Sequence, residues 1–305
     1  MPSDLENYAV MVVCAADVDQ IWHIATNNGS DEQGQPALPK AEVADALKIG
    51  YIHDANFESP LAQLRCDDCI ISKCDNVYYG LVLKAKQQVG PICPGDMLVA
   101  IRGTMDDLEW LNDATALEMI DGAAGSQGQV GLGFWKIYGS MAIGPIDDVP
   151  ATGSVAAEIV GLANTFNCPN IFVCGHSLGA ALATYLAYEL NETLDAQSDR
   201  LHPYFFASPK TGTSDWVNWY QRQMSRYDLT NYALDFVPMV PPDGDTLNAG
   251  SGAHNVHVIA ALCPGALDTG CFAKWDASKN HSPIGYALML DETNPVARRL
   301  KAAGA

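Results

Sequence analysis

Residues 171–190 constrain the fold more than any other stretch. Ile171-Phe172-Val173-Cys174 is a short apolar run with strand character, and residues 178–190 read as a helix. Between them stands Gly175-His176-Ser177-Leu178-Gly179-Ala180, which places a serine where a strand gives way to a helix. So sharp a turn crowds the residues two before and two after its apex, and both are glycine. Gly179, Ala183 and Ala187 recur at a spacing of four, a small-residue face that lets the helix lie close on a sheet. A serine hydroxyl is a weak nucleophile, and such a turn presents it to a base. The following helix start aims backbone N–H groups where an oxyanion would form.

The surrounding pattern fits that junction. Strand-like runs at 77–84, 96–101, 130–133, 170–175, 204–207, 229–233 and 256–260 are separated by helical stretches at 134–141, 153–167, 178–190 and 213–226. Such alternation predicts an α/β fold with a mainly parallel sheet covered on both faces. A helical N-terminal region, at 5–24 and 40–50, precedes it. No internal repeat, low-complexity tract or linker divides the 305 residues, so one domain over 1–305 is expected, with residues 1–76 packed on it.

Charge excludes some functions. With 36 acidic residues against 17 Lys plus Arg, the net charge of −19 repels nucleic-acid backbones and anionic membrane faces. The longest apolar run, residues 8–16, is about half the roughly 18 residues a membrane span needs. Asp4 and Glu6 precede it, so it makes no convincing signal peptide.

Nine cysteines cannot all pair within one chain. Cys14 and Cys174 sit in apolar runs and read as small core residues. Cys66, Cys69 and Cys74, with Cys93 further on, resemble half of a zinc site, but a second Cys-x2-Cys and a nearby histidine are missing. Disulfides within 66–93, or between Cys263 and Cys271, are the alternative in an exported protein. The cysteines therefore leave the compartment open.

A serine nucleophile needs a base and an acid, which follow it in chain order in this kind of fold. Asp235 lies just past the strand at 229–233, whereas Asp243 and Asp245 fall in an ordinary Pro241-Pro242-Asp243-Gly244 turn. His202 precedes the acid, and His254 and His257 flank or occupy a strand. His281 lies in a polar loop before an apolar helix near the chain end, which suits a base reaching over the serine. The oxyanion donors are the N–H of Leu178 and a group from an earlier loop. Thr104, after Ile101-Arg102-Gly103, offers an N–H and a hydroxyl, and it would also serve to cap the next helix.

These blocks resemble the class 3 lipases, the fungal-type triacylglycerol lipase family of α/β-hydrolases. The resemblance runs from about Val77 to Leu290. It rests on Arg102-Gly103-Thr104 with Trp110, Leu111 and Asp113, on Gly133-Phe134, and on Gly175-His176-Ser177-Leu178-Gly179-Ala180. It continues with Phe206-Ala207-Ser208-Pro209 and Gly212, Asp235-Phe236-Val237-Pro238 with Pro241-Pro242, and His281 with Tyr286. It implies Ser177 as nucleophile, His281 as base, Asp235 as orienting acid, and Thr104 and Leu178 as oxyanion donors. It further implies a lipid or acyl-ester substrate, contact with a lipid–water interface, secretion, and no metal or organic cofactor. The Cys66–Cys74 cluster has no counterpart in that pattern, and neither has the loop 121–133 with its five glycines.

The expected activity is ester hydrolysis through an acyl-enzyme on Ser177. A phospholipase A1 or a feruloyl-type esterase would use the same residues, and a non-catalytic binding protein would keep the fold without them. Residues 104–120 are expected to form a helical lid, with Met105, Leu108, Trp110 and Leu111 supplying its apolar side and the loop 121–133 its slack; an ordinary surface helix is the alternative. Acyl-chain preference and oligomeric state are not written in the sequence.

Overall fold

A computed structural model describes residues 4–25, 50–53, 55–58, 60–68, 75–103, 118–122, 126–144, 153–247, 253–259 and 280–302. Its centre is an eight-stranded sheet. The strands are β1 (Ala62–Asp68), β2 (Asp75–Lys84), β3 (Met97–Ile101), β6 (Ala142–Ile143), β7 (Ile171–His176), β8 (Leu201–Phe206), β9 (Arg226–Tyr232) and β10 (Ala253–Ile259). They lie in the order β10-β9-β8-β7-β3-β2-β1-β6. From β3 to β10 neighbouring strands run parallel, while β2, β1 and β6 add an antiparallel edge. The alternation read from the sequence thus gives a mostly parallel sheet flanked by helices.

Side-chain alternation builds two cores from one sheet. Ile171 and Val173 of β7 face one core, and Phe172 and Cys174 face the other. The first is covered by α2 (Leu132–Gly139), α3 (Val155–Thr165), α4 (Leu178–Leu194) and α5 (Ser214–Gln223). The second is covered by α1 (Asp4–Ala25), α6 (Pro283–Leu290) and α7 (Pro295–Ala302). The run Tyr8-Ala-Val-Met-Val-Val-Cys-Ala-Ala is apolar all round, so α1 is buried against β7 and α6 rather than laid on the surface. No described helix is long and apolar enough to cross a membrane.

Three features differ from the sequence reading. β9 begins at Arg226, so the helix before it stops at Gln223 and not at 226. The edge strands β1 and β6 and helix α7 were not anticipated. At the two ends of the glycine-rich stretch 121–133, read as a loop from the sequence, β4 (Met119–Asp121) pairs antiparallel with β5 (Gln129–Gly131), and residues 123–125 lie outside the described residues. Buried Val130 anchors that hairpin, and backbone bonds from Gly131 to Thr211 and from Thr213 to Gln129 tie it to the body. The expected helix at 40–50 lies outside the described residues.

Candidate active site

β7 ends in Gly175-His176 and α4 begins at Leu178, leaving Ser177 alone to make the turn. Its backbone sits at φ 58° and ψ −130°, a conformation that costs a non-glycine residue on the order of 1–3 kcal/mol. The neighbours hold it there. The Ser177 N–H donates to Phe206 O at 3.0 Å, and the Ser177 carbonyl accepts from Ala180 N at 2.9 Å. The flanking glycines are needed for space. A Cβ on Gly175 would sit 2.3 Å from Gly179 O, and one on Gly179 would sit 2.3 Å from Arg102 O. The sequence expectation that the turn crowds these two positions therefore has a steric cause in the fold.

Asp235 arrives from the other side of the sheet's carboxyl edge, three residues past β9. Its N–H donates to Tyr232 O, and its Oδ1 accepts from Val237 N at 3.0 Å, a local turn that fixes the carboxylate before any long-range partner is met. His281 is set by a helix start. Ser282 caps α6 by accepting from Gly285 N, and Pro283 occupies the first helical turn, so the chain enters the helix directly after the histidine. Asn280 Nδ2 donates to Leu234 O at 3.2 Å, tying the histidine loop to the acid loop.

The three side chains meet. His281 Nε2 lies 2.7 Å from Ser177 Oγ, and His281 Nδ1 lies 2.8 Å from Asp235 Oδ2. All three are buried, with relative exposures of 4% for Ser177, 6% for His281 and 1% for Asp235. The geometry gives a hydroxyl whose proton has an imidazole to go to, and an imidazole whose other nitrogen faces a carboxylate.

Two further side chains join this arrangement: Tyr286, which the resemblance places with His281 but without a role, and His176, to which the sequence reading gives none. Tyr286 Oη donates to Asp235 Oδ2 at 2.7 Å and accepts from Tyr232 N at 2.8 Å. Burial, reinforced by Asp235, pushes the Tyr286 hydroxyl well above its ordinary pKa, so it remains a donor. Its signal was available, since it sits in the first turns of the helix that Ser282-Pro283 opens. His176 packs its ring 4.7 Å from the His281 ring. Burial, helped by the adjacent His281, lowers its pKa well below the usual imidazole value and keeps it uncharged.

Leu178 opens α4, so its N–H has no acceptor within the helix and faces the turn. Gly103, at the end of β3, lies against the same turn: a Cβ there would be 3.2 Å from Ser177 Cβ. Thr104, the lid residues Met105, Leu108, Trp110 and Leu111, and Cys69 and Cys74 lie outside the described residues. Cys66 is buried on β1 and Cys93 is exposed. No cluster of three metal-ligating side chains occurs among the described residues. Of the other histidines, His202 stacks on Phe172 at the opposite end of the sheet.

Comparison with known proteins now bears on the arrangement. The family model for lipase (class 3) matches residues 98–244, just under half of the chain, from β3 through the turn at Ser177 to the loop after Asp235. Over those residues the chain is similar to the class 3 lipases. Phospholipase A1-IIgamma of Arabidopsis thaliana is 30% identical over 165 residues, which cover 49% of this chain and 39% of that protein. Phospholipase A1-II 3 of Oryza sativa subsp. indica is 38% identical over 105 residues, 31% of this chain and 25% of that protein. The chain therefore spans well under half the length of these curated relatives. Among solved structures, the Rhizomucor miehei triacylglyceride lipase superposes with a TM-score of 0.50 at 16% identity, over 78% of this chain and 74% of that one. That likeness is one of fold, and it extends beyond the matched stretch to strands and helices on either side of it.

Proposed function

We propose that this chain hydrolyses acyl esters of lipids through an acyl-enzyme on Ser177. The observation that carries the reading is the continuous hydrogen-bonded chain from Ser177 Oγ through His281 to Asp235, at 2.7 and 2.8 Å. Ser177 Oγ attacks the ester carbonyl while His281 Nε2 takes its proton. The tetrahedral oxyanion is held by the Leu178 N–H and by residue 104. His281 then returns the proton to the departing alcohol, and water repeats the sequence on the acyl-enzyme. Asp235 stabilises the imidazolium, and the Tyr286 hydroxyl and Val237 N–H keep its carboxylate in place.

Glycerophospholipid esters are the second substrate reading. It is supported by the two plant relatives, both of which bear the name phospholipase A1. Hydrolysis of p-nitrophenyl esters of rising chain length, with tributyrin, triolein and phosphatidylcholine alongside, separates the readings when run with Ser177→Ala as control. Fatty-acid release from phosphatidylcholine that exceeds release from both triacylglycerols favours the phospholipid reading. Ester cleavage that survives in Ser177→Ala contradicts both.

A further inference from the structure

The pleat of β7 decides where its last side chain points. Phe172 and Cys174 face the core covered by α1 and α6, so His176, two residues further on, faces the same way. α6 begins at Pro283, two residues after His281, and carries Tyr286 into that core. The strand end and the helix start therefore meet at His176. Its ring centroid lies 4.7 Å from that of His281 at an interplanar angle of 41°, and 5.7 Å from that of Tyr286 at 80°. One side chain thus touches both the residue that faces Ser177 and the tyrosine that donates to Asp235. Its own backbone is fixed, because His176 pairs with Phe206 across β7 and β8.

We propose that His176 is a positioning residue, whose flat ring holds the His281 imidazole at the rotation that points Nε2 to Ser177 and Nδ1 to Asp235; the proposal rests on His281 being the base. The bonds at 2.7 and 2.8 Å restrain the two nitrogens, but they leave the ring free to tilt about the line that joins them. The terminal torsion of a histidine has broad wells and does not remove that freedom. A second ring packed against the first does, and aromatic pairs at this separation favour particular tilts. Hydrogen bonding through Nε2 does not account for His176, because that atom is buried and meets no partner among the described residues. The ring is also electrically harmless. Burial, helped by the adjacent His281, keeps it uncharged, so it does not oppose the imidazolium that His281 becomes on taking the Ser177 proton. A bond from the ring toward the His281 backbone partly offsets that lowering and adds a second hold on residue 281.

The test measures kcat and KM on a dissolved short-chain p-nitrophenyl ester for the parent, His176→Ala, His176→Leu and His176→Phe, with Ser177→Ala and His281→Ala in parallel. Rates are expressed per active site, counted by labelling to completion with a phosphonate, so that misfolded protein drops out. Misplacing a catalytic group by about 1 Å costs on the order of 100-fold. A base that is loosened but not displaced should lose less. The expected fall in kcat per site is about 30-fold in His176→Ala and about tenfold in His176→Leu, which fills the space without a flat face; KM should stay within about threefold of the parent. His176→Phe restores a flat ring and should bring kcat back to within about threefold. Should His176→Ala fail to fold, His176→Leu against His176→Phe decides. A merely space-filling role makes those two equal, and that result overturns the proposal, as does unchanged kcat per site in His176→Leu or a loss confined to KM. Ester hydrolysis that survives in Ser177→Ala or His281→Ala overturns instead the reading on which it rests.

Discussion

The two ends of the parallel strands handle the same materials differently. At the amino end, positive φ values fall on Gly95 (92°), Asn167 (53°) and Asp195 (46°), a glycine and two residues whose short polar side chains make such backbone less costly. At the carboxyl end they fall on Ser177 (58°) and Ala207 (49°), where they are strained. Polar side chains at the amino end bond to one another and to nearby backbone. Asn170 Nδ2 donates to Asp96 Oδ1, His202 Nε2 pairs with Asn170 Oδ1, and Arg200 caps the carbonyls of Cys168 and Pro169. At the carboxyl end, His281 has a carboxylate on one nitrogen and a hydroxyl on the other. The contrast teaches that a histidine is defined by its partner set, whether half-buried like His202 or buried like His281. His202 ties β8 to Asn170 beside β7, and His281 bridges a hydroxyl and a carboxylate, the arrangement the proposed mechanism needs.

The largest expected effect breaks the contrast at the strained residue. Ser177→Ala should lower ester hydrolysis by roughly 10⁴-fold or more. Ser177→Gly should be equally inactive yet more stable than the parent by about 1 kcal/mol, because glycine accepts the positive φ. Thermal unfolding of both variants checks the second half.

Ionisable groups at the two ends, Asp17 buried and His202 half-buried, should also respond to pH with opposite sign. Asp17 lies on α1 two residues before Asp19, which faces Arg102 at the carboxyl end. Burial, partly offset by bonds from the N–H groups of Ile52 and Tyr51, raises its carboxyl to about 7. The native state thus holds a proton that the unfolded state has lost, so this group's contribution falls as pH rises from about 4 to about 7. The loss is at most about 4 kcal/mol. Asp17→Asn keeps an oxygen to accept both N–H groups and should flatten the decline, with its largest gain in melting temperature above pH 7.

Tyr286→Phe tests the support of the acid. It removes a donor from Asp235 and leaves Tyr232 N without its acceptor, which should cost about 1–3 kcal/mol of stability and about tenfold in kcat. A stability loss with undiminished kcat would show that Tyr286 only packs.

His202→Gln is the smallest change. Burial, with Arg226 adding to it, lowers the His202 pKa to about 4. Its contribution is complete above about pH 6.5 and lost as pH falls toward 4, the opposite slope to Asp17. After allowance for its partial exposure the effect is about 1–2 kcal/mol. The variant should flatten acid destabilisation in that window and leave kcat unchanged.

The sequence was most readable where chemistry and backbone geometry coincide. The glycines around Ser177 exist because of steric contacts that any residue larger than hydrogen would violate, so spacing alone locates the turn. Asp235 and His281 could be chosen because a strand end and a helix start are local signals. Tyr286 is named from the sequence only beside His281; its bond to Asp235, 51 residues away, belongs to the fold and leaves no local pattern of its own. The hairpin from Met119 to Gly131 escaped for another reason. Its strands have three residues each and rest on one buried side chain and on bonds to 211–213. Short strands held by distant backbone leave little trace in composition.

Ester hydrolysis by this chain turns on Ser177 as the nucleophile, and covalent capture tests that most directly. The intact protein is incubated with an alkyl phosphonate ester, from which a reactive serine Oγ displaces the leaving group to form a stable P–O bond, and is then digested and mapped by mass spectrometry. The expected result is one adduct per chain, on Ser177, forming at least 100-fold more slowly in His281→Ala. An adduct on a different serine, or ester hydrolysis that persists after Ser177 is fully modified, would contradict it.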